Sequence, residues 1–198
     1  MTAIRICFLG DSFVSGAFDR ECLGWAGRIC AAARARSHDV SHYNLGIRGE
    51  TSVQLAARWR GEAAIRQSPL QEGRLVFEFG MNDVREVNGR MQVSEADTLA
   101  TARRILAEAS QWKPTLMVGP PPVGDDPRNS RVRAVSGRLA VLCSELHVPF
   151  FDSCRLLLQT GIWLPDVEQV DGTHPGARGY AEWARLIDLW EPWREWLP

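Results

Sequence analysis

The sequence predicts an α/β domain built on a parallel sheet, and three observations lead there. Short apolar runs rich in β-branched and aromatic residues recur along the chain. Segments with helical spacing separate them, and strands alternating with helices imply crossover connections, hence parallel pairing with helices on both faces. The chain has 198 residues, which suits one domain with one core and leaves no excess for a second.

The elements follow in order. Residues 4–9 (IRICFL) read as the first strand, closed by Gly10. A helix is expected over 25–35, then a weaker second strand over 40–45, ended by Gly46. A helix over 52–65 leads to a third strand at 75–79, ended by Gly80. A helix over 95–112 precedes a fourth strand at 115–118, ended by Gly119 and three prolines. The breaker-rich stretch 119–129 reads as a surface connection. Helices over 132–146 and 177–189 enclose a short fifth strand at 148–151. Gly161 and Pro165 bracket Ile162, Trp163 and Leu164, which favours a loop whose apolar side chains line an acyl pocket. Among the C-terminal tryptophans, Trp183 and Trp190 are expected in the core, with Trp193 and Trp196 wrapping back onto the domain.

Composition excludes several functions. Hydrophobic residues at 45% and charged residues at 24% are globular proportions, so a disordered chain is ruled out. A net charge of −1 gives no field for a nucleic-acid or anionic-membrane partner. Lys113 is the only lysine and follows Trp112, so no phosphate-binding P-loop exists. The five cysteines show no CxxC spacing, and Cys143 with His147 makes at most half a metal site, so no metal and no cofactor is expected. No signal peptide or membrane-spanning stretch is evident, which makes a cytoplasmic location the expectation.

In open parallel sheets, ligands bind beyond the carboxyl ends of the strands. Four segments stand at such ends or at the last helix: Gly10-Asp11-Ser12, the stretch from Asn44 to Ser52, Gly80-Met81-Asn82-Asp83, and Asp171-Gly172-Thr173-His174-Pro175. Singly, each is ordinary turn chemistry, and Asp11 and Asp83 read as turn-fixing residues. Jointly they contain an acyl-transfer site. A serine hydroxyl needs a base to take its proton, and His174 is the candidate for Ser12. Asp171, three residues before His174, is placed to fix its tautomer. The backbone N–H groups of Ser12 and Gly46 and the amide of Asn82 are the expected oxyanion donors. Arg48 and Arg85 follow the second and third segments and read as solvated surface residues, although both lie within reach of a substrate carboxylate or phosphate.

These segments, FLGDSF, NLGIRGETS, FGMNDV and DGTHP, resemble the four blocks of the SGNH hydrolases, also called GDSL lipases and esterases, over residues 8–175. Phe13 stands where that family usually has leucine, a change of packing more than of chemistry. The family's four letters fall on Ser12, Gly46, Asn82 and His174. The resemblance implies a flavodoxin-like three-layer α/β/α sandwich with strand order 2-1-3-4-5. It also implies metal-free hydrolysis of small-molecule carboxylic esters or thioesters through an acyl-enzyme. Separately, no large insertion is present to form a long lipid tunnel or lid, so short acyl groups are expected to be favoured. The rivals are an acyltransferase, thioesterase or lysophospholipase with the same triad, and a non-catalytic small-molecule-binding module.

Overall fold

The structure is a computed structural model that describes residues 3–67 and 72–197. In chain order it runs β1 (Ile4–Gly10), α1 (Ser12–Ser15), α2 (Gly24–Ala35), β2 (Val40–Gly46), α3 (Ser52–Ala64) and β3 (Glu72–Glu78). A small hairpin follows, β4 (Glu86–Val87) and β5 (Arg90–Met91), then α4 (Glu95–Trp112), β6 (Thr115–Val118) and α5 (Asp126–Glu145). The chain ends with β7 (Phe150–Phe151), α6 (Ser153–Leu158), α7 (Trp163–Val170), α8 (Ala177–Asp188) and α9 (Glu191–Arg194).

Five strands form one parallel sheet in the order β2-β1-β3-β6-β7. Discounting the hairpin, this is the expected order 2-1-3-4-5. Strand β1 lies inside the sheet, and its last residue, Gly10, sits opposite both Gly46 and Glu78. Its side chains alternate between two cores, as a strand buried on both faces requires. Ile4, Ile6 and Phe8 pack with α2, α7, α8 and α9, whereas Cys7 and Leu9 pack with α3, α4 and α5. Those helix sets are the outer layers. Trp193 is buried and faces Phe8, with Trp196 against it, so the C-terminal tryptophans do close over the core. Trp183 is fully buried, and Trp190 packs at the edge on Phe151. No helix among the described residues is long and apolar enough to cross a membrane.

Three expectations are corrected. The stretch 119–129 is not a surface loop: residues 119–123 are buried and α5 begins at Asp126. Prolines bring no N–H group that needs a partner, so Pro120, Pro121 and Pro122 can be buried where other residues would strand donors. Asn129 then satisfies both backbone polar groups of Val123, at 2.7 and 2.6 Å. Residues 163–170 form a helix, not a loop, because Pro165 falls in a first turn, where its missing N–H costs nothing. Trp163 is fully buried, with its indole N–H donating to Pro122 O at 2.8 Å, so it lines no acyl pocket. The β4–β5 hairpin was not anticipated, although its Asn88-Gly89 turn, both residues at positive φ, is a strong hairpin signal.

Candidate active site

Glycine at position 10 is required by packing, since a Cβ there would fall 1.9 Å from Glu78 O. Beyond it the chain turns up from the sheet, and Asp11 caps the one-turn helix α1, its Oδ1 accepting from Phe13 N–H at 2.9 Å. Ser12 is thereby the first residue of α1, at the carboxyl end of β1. His174 arrives from the far end of the chain. Asp171 Oδ1 accepts from the backbone N–H groups of Thr173 and His174, at 2.9 and 2.7 Å, which curls this segment into a tight turn. The other oxygen, Oδ2, lies 2.9 Å from His174 Nδ1, and His174 Nε2 lies 2.8 Å from Ser12 Oγ. Asp166 anchors the turn from behind: its Oδ2 takes the N–H groups of Gly176 and Gly179, the start of α8, at 2.7 and 2.8 Å. Helix α8 has no side-chain cap of its own, so Asp166 supplies the missing acceptor.

The second and third segments meet beside Ser12. Ser52 N–H donates to Asp83 Oδ1 at 2.8 Å, tying the start of α3 to the loop after β3. A capping box between Thr51 and Gln54 fixes the same helix end. Arg58 gathers the site's frame from below: Nε donates to Glu50 Oε1 at 2.6 Å, and Nη2 donates to Leu45 O at 2.8 Å and Gly10 O at 3.3 Å. Asn82 Nδ2 donates to Asp11 Oδ2 and to Glu50 O, both at 3.0 Å.

Of the expected oxyanion donors, Ser12 and Asn82 reach the cavity and Gly46 does not. Gly46 N–H donates to Asn44 Oδ1 at 3.1 Å, and the residue still pairs with Gly10 as the end of β2. Its glycine character answers to packing, because a Cβ would fall 2.3 Å from Ser15 N. Gly49, three residues on, lines the cavity instead, in a left-handed conformation at φ +79° that favours glycine. Among the described residues, neither Gly49 N–H nor Ser12 N–H has an acceptor within the protein.

Electrostatics sharpen the arrangement. Burial pushes the His174 pKa below its ordinary value against the pull of Asp171, with Arg48 and Arg128 adding to the fall. Asp171 is lowered: burial opposes this, but the N–H groups and imidazole of His174 outweigh it. Beneath Ser12, Asp11 and Glu78 are both fully buried, with their carboxyls in hydrogen-bonding reach of each other. Glu78 has no other polar partner among the described residues, whereas Asp11 already accepts two N–H bonds. Burial, then the Asp11 charge, raises Glu78 well above the carboxylate range. Burial raises Asp11 too, to about 7, against the pull of its N–H bonds, so Glu78 holds the proton the more tightly of the two and Asp11 is the acceptor, also for the Asn82 amide.

Residues 8–182 match the model of the GDSL-like lipase/acylhydrolase family. The chain belongs to that family. No curated protein matches the sequence. Among solved structures, a lipase/acylhydrolase from Enterococcus faecalis superposes with a TM-score of 0.77 at 20% identity, covering 93% of each chain. Axe2, an acetylxylan esterase from Geobacillus stearothermophilus, gives 0.77 at 19% identity and 95% of each chain. Structures of that esterase include catalytic mutants of a serine, an aspartate and a histidine, the last two three positions apart. At such identities the likeness establishes the fold. Family membership makes the chain a carboxylic ester hydrolase.

The cavity over Ser12 is cationic. It measures about 420 Å³ and is lined by Arg48, Arg85 and Arg128 besides Ser12, Asn82 and His174. Sequence reasoning passed over Arg128, which lay inside the supposed surface loop. It also passed over Gly49, although the strand-end rule favours a glycine clear of the strand over one still paired within it. Asp166 and Glu78 carried no signal, since each acts through contacts far away in sequence.

Proposed function

We propose that this ester hydrolase works through a Ser12–His174–Asp171 triad. As Ser12 Oγ bonds to the ester carbonyl carbon, its proton passes to His174 Nε2, and Asp171 stabilises the imidazolium that forms. The tetrahedral intermediate collapses, the C–O bond to the alcohol breaks, and His174 returns the proton to the departing alkoxide. A water then attacks the acyl-enzyme by the same route and releases the acid. The oxyanion is served by Ser12 N–H and Gly49 N–H, both without an internal acceptor. Asn82 joins them by exchanging the neutral Glu50 carbonyl for the developing negative charge, a stronger acceptor. Short acyl groups suit the cavity, whose lining is mostly polar and includes no long apolar channel. The acetylxylan esterase neighbours agree with that preference.

One observation carries this reading: hydrogen bonds at 2.8 and 2.9 Å link Ser12, His174 and Asp171 across 162 positions of sequence. A fluorophosphonate should add a single group to Ser12 and none to the Ser12→Ala variant, which should keep its fold and lose roughly 10⁴-fold or more in kcat. Labelling of another serine, or undiminished turnover by Ser12→Ala, sinks the assignment.

A further inference from the structure

The cavity's three arginines exceed what ester cleavage requires. Elsewhere many arginines, though not all, are ion-paired, among them Arg28 with Asp19, Arg36 with Asp188, Arg58 with Glu50, Arg74 with Glu72 and Arg103 with Glu145. Among the described residues, Arg48, Arg85 and Arg128 have no carboxylate partner. The one acid that lines the cavity, Asp171, is engaged by His174.

Arg128 decides between solvated charges and a binding site. Its Nε is buried with no hydrogen-bond partner, and Nη2 reaches only Met81 O, at 3.5 Å. Burial, and next the like charge of Arg85, hold its pKa below the ordinary guanidinium value. A guanidinium that has lost water and faces a second cation is unfavourable until an anion arrives. Arg48 is fixed at the rim by stacking on Phe18, 4.8 Å from the ring centre. Backbone N–H groups already serve the oxyanion, so the arginines are left for another negative group. Their planar forks match carboxylate and phosphate oxygens, and a concave wall focuses their field. A neutral ester satisfies none of them.

We propose that the cleft takes esters bearing a carboxylate or phosphate group, held by Arg85 and Arg128 with Arg48 at the rim, while Ser12 attacks the carbonyl of the same molecule. This rests on the serine-esterase reading above; the anionic group itself passes through the reaction unchanged.

The test compares matched substrates at low ionic strength. On the acyl side, 4-nitrophenyl hemisuccinate is set against 4-nitrophenyl valerate. On the alcohol side, acetylated glucuronate and acetylated glucose 6-phosphate are set against acetylated glucose. At least one anionic ester should exceed its neutral partner tenfold or more in kcat/KM, and 0.5 M salt should erase most of that ratio. Arg85→Gln and Arg128→Gln should each reduce the ratio several-fold, and the double variant should bring it near one. The arm that responds identifies the charge-bearing half and whether carboxylate or phosphate is preferred. Ratios near one in every arm, with Ser12 labelled and neutral esters cleaved, overturn the charge preference and leave the triad standing. Should Ser12 prove unreactive, calorimetry with succinate and inorganic phosphate still decides: binding lost in the double variant supports the anion site, and no binding refutes it.

Discussion

The His174 imidazole lies between Phe13 and Phe18, with ring centres 4.9 and 5.2 Å away. Burial of this kind strips water from the charged form, and Arg48 and Arg128 add positive charge nearby, so the neutral base persists to lower pH. The acid limb of kcat/KM on a neutral ester should therefore lie below the ordinary histidine value of about 6.5. Arg48→Gln removes one of those charges and should move the limb upward. A wild-type limb above 6.5, or one that Arg48→Gln lowers, would contradict this account. At this scale the sequence was legible wherever chemistry and position coincide. Ser12, Asp171, His174 and Asn82 all reach the cavity or its hydrogen-bond chain. It misled at Gly46, because two glycines three residues apart look alike until the register shows that one is still paired in β2.

Secondary structure was legible where periodicity is long and uninterrupted. The helix expected over 95–112 and the strand over 115–118 agree with α4 and β6 to the residue. It failed where tertiary contacts overrule breakers. Three prolines lie in the buried crossing after β6, and Pro165 sits within the first turn of α7. Helix α7 matters because it carries two anchors, Trp163 in the core and Asp166 beneath α8. Trp163 meets Trp183 edge-on at 5.4 Å and donates to Pro122 O. Trp163→Ala would leave a cavity between α7, α8 and the proline crossing, and strand that carbonyl. It should lower stability by about 3–5 kcal/mol in chemical denaturation, without a shift in preferred acyl length. A change in chain-length profile with stability intact would restore the acyl-pocket reading.

Across the whole molecule, the buried carboxyls set a pH trend opposite to that of the paired ones. Asp19, Asp171, Glu182 and Asp188 are lowered in the fold, so their stabilisation is present above the unfolded carboxylate pKa and lost as acid is added. Lowered His42 and His174 act with the same sign just below neutrality. Glu78 is raised, chiefly by burial and next by Asp11. Its stabilisation is therefore full below the unfolded glutamate value and is lost as pH rises towards its folded pKa. Within that window the native state holds one more proton than the unfolded chain, which costs about 1.4 kcal/mol per pH unit. Glu78→Gln isolates this contribution, because glutamine keeps a donor for Asp11 and cannot ionise. The other titrating groups are common to both proteins and largely cancel when the two are subtracted. Between pH 5 and pH 8, the wild type should lose stability relative to Glu78→Gln, read as the difference in denaturant unfolding free energy at each pH. A difference that stays constant, or that widens in favour of the wild type as pH rises, would mean that Glu78 does not hold the proton between itself and Asp11 beneath Ser12.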